Sequence, residues 1–455
     1  MIAPGGFATA PPTLFVIASL LATSSAPRAA LAANDGLART PPRGWRSWDA
    51  AYGAVTQEFV LAQCALLVDR SRGDPLTGAP TSLADLGYSD CGLDDAWQRC
   101  GSGAPGWSFH NESGDPQVNL ATFPSLGDMV RQIHALNLSA GFYQNNCICS
   151  DRCSETECFG GDVRLLRAAG FDGVKLDGCG AELDPQLWHE LLLASGVPVV
   201  IENAHNGATA ATQVPWGTSY ADAAGCPFHV YRSSSDLYGG FGKVVYNLQT
   251  VFPLAAKNLS GPGCWAYPDM LNFLPGGEAP GPPVYFSDAE LRSHFGAWAV
   301  VSSPLILSLD LRNASLVDRL WPFVANREAL AVNAAWAGAP GAAFAEAGGA
   351  RVRVPGCPGC DPYLAAAWQQ VAKPLAGGAA AVLVLNYEEN ATRAGDIAVD
   401  LTAVPGLAQT GKGWSVRDVW ARRDAGEVAA ASPAWPVPAL QPHDSAFVVF
   451  TPLAG

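Results

Sequence analysis

The run Val174-Lys175-Leu176-Asp177-Gly178-Cys179 sets a cation and a carboxylate two residues apart among apolar neighbours. In a strand, alternate side chains share a face, so Lys175 and Asp177 point one way while Val174 and Leu176 point the other. The chain has only five lysines. Placing one inside a strand costs desolvation unless it pairs with a carboxylate or serves a ligand; a purely structural ion pair is the plainer alternative. A second group, Leu93-Asp94-Asp95-Ala96-Trp97, holds adjacent carboxylates that repel unless hydroxyls, a lysine or a metal use them. Calcium is the rival reading, but the Asp-x-Asp-x-Asp-Gly loop is absent. A third, Tyr231-Arg232-Ser233-Ser234-Ser235-Asp236, ends in another acid. Asp177 and Asp236, facing each other across a small-molecule site, would be the minimum apparatus for glycoside hydrolysis. Trp45, Trp48, Trp97, Tyr143 and Trp265 could offer faces to a sugar ring, although each tryptophan taken singly reads better as core. His-Glu-x-x-His, Gly-x-Ser-x-Gly and phosphate-binding loop motifs do not occur.

These groups need a scaffold that aims them at one place. From Gly44 to about Val332 the sequence repeats a short apolar run, a loop and a helix-length amphipathic segment. The expected strands are Gly44–Trp48, Tyr88–Leu93, Ala140–Tyr143, Gly173–Leu176, Val197–Ile201, His229–Ser233, a weak run before Asp269, and Val300–Ile306. Expected helices are Thr56–Val68, Leu126–Leu136, Val163–Ala169, Pro185–Ala194, Phe241–Leu248 and Asp288–Ala297. Eight such strands predict an α/β fold, a (β/α)8 TIM barrel over 34–332, with its site where strands end and loops begin. Polar residues stand at those ends: Trp48-Asp49, Asp94-Asp95, Tyr143, Asp177, Glu202-Asn203, Arg232, Asp236 and Asp269. Helix capping could account for any one of the acids but not for the set. Beyond residue 333, short alternating runs such as 381–385, 397–401, 416–420 and 446–450 predict a C-terminal antiparallel β-sandwich domain over 333–455.

The chain has 455 residues, 49% of them apolar, with 27 Lys plus Arg against 41 Asp plus Glu, a net charge of −14. It has no cationic excess for nucleic acid or an anionic membrane. Residues 1–33 read as a signal peptide, with the apolar run Leu14–Leu21 and a small-x-small site at Ala30-Leu31-Ala32. That run is too short to span a bilayer, and no membrane span is expected elsewhere. Twelve cysteines and five glycosylation sequons, at Asn111, Asn137, Asn258, Asn313 and Asn390, fit the same route. The expected location is outside the cell or in the lumen of an acidic vacuole- or lysosome-like compartment. Cys357 and Cys360 read as a local disulfide, and Cys147, Cys149, Cys153 and Cys158 as a disulfide-braced loop rather than metal ligands. Cys147 or Cys149 could reach Cys179 beside Asp177. No metal and no cofactor are expected.

In order along the chain, Gly36-Leu37-Ala38-Arg39-Thr40-Pro41, Gly44-Trp45, Leu93-Asp94-Asp95, Lys175-Leu176-Asp177-Gly178-Cys179, Arg232 four before Asp236, Gly261-Pro262-Gly263, Pro268-Asp269-Met270-Leu271 and Ser303-Pro304-Leu305 resemble the retaining α-galactosidase and α-N-acetylgalactosaminidase family of glycoside hydrolases. The resemblance covers essentially the whole mature chain and implies a catalytic barrel followed by an antiparallel β domain. By it, Asp177 looks like the nucleophile and Asp236 like the acid/base. Trp48, Asp94, Asp95, Tyr143, Lys175, Arg232 and Asp269 would line the sugar pocket. The acid should then carry a raised pKa in the free enzyme. The sequence departs from the family after the fifth strand, at Ile201-Glu202-Asn203-Ala204-His205-Asn206-Gly207, where a cysteine and a tryptophan are usual. Asn203 and His205 either bind the sugar's 2-hydroxyl or support the loop. Cys226 is either free or paired elsewhere, for instance with Cys264. The expected activity is exo-α-galactosidase on oligosaccharides or glycoconjugates. The alternatives are α-N-acetylgalactosaminidase, β-L-arabinopyranosidase or a non-catalytic galactose-binding homologue. The assembly, monomer or homodimer, stays open.

Overall fold

A computed structural model describes residues 35–145, 147–205, 226–273, 286–360 and 363–454. The expected signal peptide and the Asn206-Gly207 part of the divergent loop lie outside the described residues. Eight parallel strands form one sheet: β1 Arg43–Arg46, β2 Asp90–Gly92, β3 Ser139–Gln144, β4 Gly173–Asp177, β5 Val200–Ala204, β6 Val230–Arg232, β7 Trp265–Tyr267 and β8 Leu305–Leu307. Their order is β8-β1-β2-β3-β4-β5-β6-β7. The edges meet just past β7, where Leu271 pairs in parallel with Leu307 of β8 and its N–H donates to the Ile306 carbonyl at 2.7 Å. The sheet therefore curls into the expected TIM barrel.

Helices α1 Gln57–Leu67, α2 Leu126–Ala135, α3 Thr156–Ala169, α4 Pro185–Ala194, α5 Phe241–Gln249 and α6 Asp288–Val300 intervene. Local chemistry starts several of them. Asp184 accepts hydrogen bonds from the Gln186 and Leu187 amides, with Pro185 at the first helical position, and Ser287 and Glu290 form a capping box. The eighth strand departs from expectation. The apolar run from Ala297 to Val301 finishes α6 and its cap, and the strand begins only at Leu305. A short continuous apolar run has no period to tell a buried helix from a buried strand.

The barrel interior carries a charge network. Arg46 pairs with Asp90 and lies 3.8 Å from Glu202, which in turn accepts from the Tyr267 hydroxyl. Room for this guanidinium comes from Gly92, where any Cβ would collide with Arg46 Nη1.

Two further helices, α7 Ala314–Val324 and α8 Arg327–Ala334, lead out of the barrel, α8 running across the expected junction at residue 332. An antiparallel sheet follows, made of β9 Ala342–Glu346, β10 Trp368–Pro374, β11 Ala380–Asn386, β12 Gly413–Asp418, β13 Arg423–Ala429 and β14 Ser445–Pro452. Its order is β9-β10-β11-β14-β12-β13. The strand period explains why β11 is buried throughout. Ala380, Val382 and Val384 pack against Val399 and Trp435 of a two-stranded ribbon, while Ala381, Leu383 and Leu385 belong to the core that includes Phe295 and Trp298 of α6. Each fully buried Val or Leu contributes about 1.5–3 kcal/mol, so one strand holds both the sandwich and its seat on the barrel.

Candidate active site

The C-terminal ends of the barrel strands surround a cavity of about 570 Å³. Lys175 and Asp177 both line it from β4, while Val174 and Leu176 point into the hydrophobic core, as the strand period requires. Lys175 Nζ donates to Asp94 Oδ2 at 2.8 Å and stands 5.4 Å from the centroid of the Tyr143 ring. Both members of this pair are almost fully buried, at 3% and 2% exposure. Burial works against charge on Lys175, but Asp94 and Asp177 outweigh it and its pKa is raised. Asp177 is fixed at both oxygens, accepting from the Tyr143 hydroxyl at 3.0 Å and from the Gly178 amide at 2.6 Å.

The adjacent acids Asp94 and Asp95 turn to different partners. Asp95 Oδ2 accepts from the Cys147 and Ile148 amides at 3.0 and 2.9 Å, and its Oδ1 from Ala96 at 2.8 Å. Asp95 thus lines the cavity while anchoring the loop after β3. Burial outweighs these amide bonds and raises its pKa.

On the opposite side, Arg232 at the end of β6 gathers three acceptors. Its Nη1 lies 2.7 Å from Asp236 Oδ1 and 3.4 Å from Asp269 Oδ1, and Nη2 donates to the Ala204 carbonyl at 3.2 Å. Asp269 also accepts from the Leu237 and Met270 amides at 2.5 and 2.8 Å. The Asp236 side chain is 66% exposed, against 5% for Arg232. Although burial opposes it, Arg232 and then Lys175 hold the Asp236 carboxyl below the usual range. The expected raised pKa of the free acid is therefore not what this structure shows, because a guanidinium at 2.7 Å favours the carboxylate. Burial instead pushes up Asp269, to about 6, against the pull of Arg232.

Nine of the ten site residues expected from sequence line this one cavity: Trp48, Asp94, Asp95, Tyr143, Lys175, Asp177, Arg232, Asp236 and Asp269. The tenth, Asn203, is buried outside the lining and accepts from the His205 amide at 3.0 Å. Of that pair only His205 lines the cavity. It is 2% exposed, among the described residues neither ring nitrogen has a hydrogen-bond partner, and burial pushes its pKa down to about 4. It is a neutral imidazole with one donor and one acceptor to offer. Of the aromatics, Trp48 and Tyr143 line the cavity, whereas Trp45, Trp97 and Trp265 are core side chains at 0% exposure.

Disulfides brace this rim. Cys147 pairs with Cys179, so Cys149 is left for Cys100, which ties residues 100–123, inserted between β2 and α2, to the loop after β3. Cys226 pairs with Cys264, and Cys153–Cys158, Cys357–Cys360 and Cys64–Cys91 complete the set. All twelve cysteines are thus used, which is the chemistry of an oxidising compartment. No helix among the described residues is long and apolar enough to cross a membrane.

Sequence reasoning noted Asp49 only as a strand-end acid, and passed over Tyr52, Ser235, Leu237, Tyr238 and Met270, which also line the cavity. Proximity to Trp48 and Asp236 in the chain was the one signal for most of them. Asp49 has a testable consequence. Burial pushes its pKa up to about 8, and Asp269 and Asp94 add to this against Ser308 and Lys175. A carboxyl raised in the folded state stabilises fully below its unfolded pKa near 4 and loses that contribution as pH rises through about 8. Asp49→Asn should therefore flatten the fall in stability between pH 4.5 and 8.5 by about 1–2 kcal/mol, a figure reduced for water in the cavity. Urea unfolding at the two pH values measures it, and identical slopes for both proteins would count against the assignment.

Comparison with known proteins adds a family to this geometry. Residues 40–335 match the family model described as Alpha galactosidase A, and residues 365–450 match the Alpha galactosidase C-terminal beta sandwich domain. An alpha-galactosidase of Oryza sativa subsp. japonica is 27% identical over 304 residues, 66% of this chain and 64% of the rice protein. The chain thus spans less than two thirds of that relative's length. Among solved structures, alpha-galactosidase I from Mortierella vinacea aligns over 92% of this chain and 98% of its own at 20% identity, with a TM-score of 0.69. A β-L-arabinopyranosidase from Geobacillus stearothermophilus, in complex with arabinose, aligns over the same shares at 18% identity with a TM-score of 0.70. At these identities the two structures show the shared fold.

Proposed function

Because the chain belongs to the alpha-galactosidase family of glycoside hydrolases, we propose that it removes terminal α-D-galactosyl groups from oligosaccharides or glycoconjugates with retention at the anomeric carbon. The observation that carries this reading is the placement of Asp177 and Asp236 on one cavity, from the ends of β4 and β6, with the buried Lys175–Asp94 pair between strands. Asp177, held by Tyr143 and Gly178, attacks the anomeric carbon while Asp236 gives its proton to the glycosidic oxygen. The bond from that carbon to the leaving oxygen breaks, and the aglycone departs as an alcohol. Water then attacks the same carbon, Asp236 takes its proton, and the ester bond to Asp177 breaks. Two inversions give net retention.

Asp236 must be protonated for the first step, yet Arg232 favours its ionised form in the empty site. Substrate supplies the correction: filling the cavity strips water from a side chain that is 66% exposed, and desolvation raises a carboxyl pKa. Once Asp177 is esterified its charge is gone, the Asp236 pKa falls, and the same group serves as base. Lys175, Asp94, Asp269 and Arg232 supply donors and acceptors for the sugar hydroxyls, and Trp48 an apolar face.

Parallel assays on chromogenic α-galactoside, α-N-acetylgalactosaminide and β-L-arabinopyranoside test the substrate. The α-galactoside is expected to be cleaved with the highest kcat/KM, and NMR of the first product should show the α anomer. Failure on that substrate with cleavage of either other would transfer the proposal to it. His205 sets the expected preference at C2. Its ring can hydrogen-bond a hydroxyl, but it occupies space beside Gly178, with Cδ2 3.7 Å from where a Cβ on that glycine would sit. His205→Ala should therefore lower kcat/KM for α-galactoside about tenfold, one hydrogen bond's worth, while the ratio of N-acetylgalactosaminide to galactoside hydrolysis rises. An unchanged ratio would remove His205 from substrate selection. The disulfides suit a secreted protein or one held in an acidic lumen, where the five sequons would carry glycans.

A further inference from the structure

A second set of ionisable side chains lies outside the cavity and takes no part in the steps above. His110 from the 100–123 insertion, Asp162 from α3 and Glu182 from the loop after β4 are 1%, 0% and 3% exposed. One ligand atom from each falls within 4.8 Å of the others. His110 Nδ1 lies 2.9 Å from Asp151 Oδ2, which also accepts from the Phe109 amide at 3.1 Å. Bound to an ion, the ring would keep the proton on Nδ1, held there by this carboxylate, and would give up the one on Nε2 so that its lone pair could ligate. That nitrogen faces Asp162 Oδ1 at 3.3 Å. The spacing is long for an imidazolium–carboxylate hydrogen bond, which closes to about 2.7–2.9 Å. It matches the edge of a coordination tetrahedron, where ligands at about 2.0–2.1 Å from the ion stand about 3.3–3.4 Å apart. Among the described residues, Glu182 Oε1 has no hydrogen-bond partner although it is buried. Gln144, with its amide nitrogen turned to Asp162, donates to both carboxylate oxygens at 3.2 Å and orients that acid.

We propose that His110 Nε2, Asp162 and Glu182 form a structural site for a four-coordinate divalent ion of the Zn²⁺ type. The ion would supply a partner for Glu182 Oε1 and neutralise two carboxylates that, among the described residues, form no ion pair with Lys or Arg. Calcium and magnesium fit less well, since they favour six or more oxygens or retained waters and this set brings an imidazole into a dry interior. A single buried water would complete the tetrahedron. The site departs from the expectation, read from sequence, that no metal is bound. Its consequence is mechanical: Glu182 lies five residues beyond Asp177, and its amide donates at 2.9 Å to Asn145, whose side chain donates to the Asp177 carbonyl. The ion would tie the insertion, α3 and the loop that carries Asp177 into one unit.

The test uses the full chain, stripped by a chelator and then reloaded with Zn²⁺ alone. About one Zn²⁺ per chain should survive desalting, and the melting temperature should rise on reloading. Glu182→Gln and Asp162→Asn should lose the retained metal and the rise. Wild-type protein that retains no Zn²⁺ and melts at one temperature either way overturns the proposal, leaving a proton shared between Asp162 and Glu182 as the stabilising feature. Full retention by both variants also overturns it, by placing the metal elsewhere. If neither variant folds, Co²⁺ loaded into wild type decides. Intense visible absorption of a four-coordinate nitrogen and oxygen site is expected, and the pale spectrum of the hexaaqua ion is the contrary result.

Discussion

Asp177→Asn should abolish hydrolysis of α-galactosides while leaving the fold and sugar binding largely intact. An amide oxygen is a poor nucleophile, so the covalent step fails, and by analogy with the removal of other catalytic nucleophiles the loss in kcat should be roughly 10⁴-fold or more. The local geometry tolerates the change. The amide oxygen can take the place that accepts from the Gly178 amide at 2.6 Å. Its nitrogen then faces the Tyr143 hydroxyl, which now donates at 3.0 Å but can turn to accept. The melting temperature should move little, and galactose should still protect the variant against unfolding. Asp236→Asn provides the contrast. In kcat/KM, which reports the first step alone, the loss should be severe for a poor alcohol leaving group and mild for an activated aryl galactoside, which needs no proton, while kcat on the aryl substrate stays low because the base for the water step is gone. Turnover that survives Asp177→Asn, or an Asp236→Asn loss in kcat/KM independent of the leaving group, would sink the corresponding role.

Lys175→Met should be the most destabilising single change in the site. Lys175 and Asp94 lie 2.8 Å apart at 3% and 2% exposure, so removing the ammonium leaves a buried carboxylate without its paired cation. Breaking such a pair costs about 3–5 kcal/mol. The pH dependence identifies the cause. A buried carboxylate without its cation is costly only in the ionised form, which high pH favours. The deficit relative to wild type should be larger at pH 7 than at pH 4. Adding Asp94→Asn should restore much of the stability at pH 7 and none of the activity, because the sugar's donor and acceptor are both gone. A pH-independent deficit would mean that lost packing of the lysine stem, rather than a stranded charge, is responsible.

Much of this site was legible in the chain because its signals are local. A period of two sent Lys175 and Asp177 to one side of β4, whichever strands came to lie beside it. Polar residues at the ends of apolar runs marked the mouth of the barrel, and Asp184-Pro185 and Ser287 with Glu290 marked where helices begin. The resemblance of the ordered motifs to a hydrolase family likewise depends only on residue order.

Through-space choices were decided by tertiary structure alone. Asp94 and Asp95 are neighbours in sequence, yet one meets a lysine 81 residues away and the other two loop amides. Cys147 rather than Cys149 stands opposite Cys179, and Cys226 finds Cys264. Asp236 is held below the usual carboxylate range because Arg232 is within 2.7 Å, while Asp49 and Asp269 are raised because burial outweighs their partners. Desolvation and Coulomb terms depend on distance and water access, which a sequence does not carry. The sequence by itself therefore determined most of the charged residues that face the barrel mouth. Only the folded chain decided which of them hold protons, which hold loops, and that His110, Asp162 and Glu182 would meet in the interior.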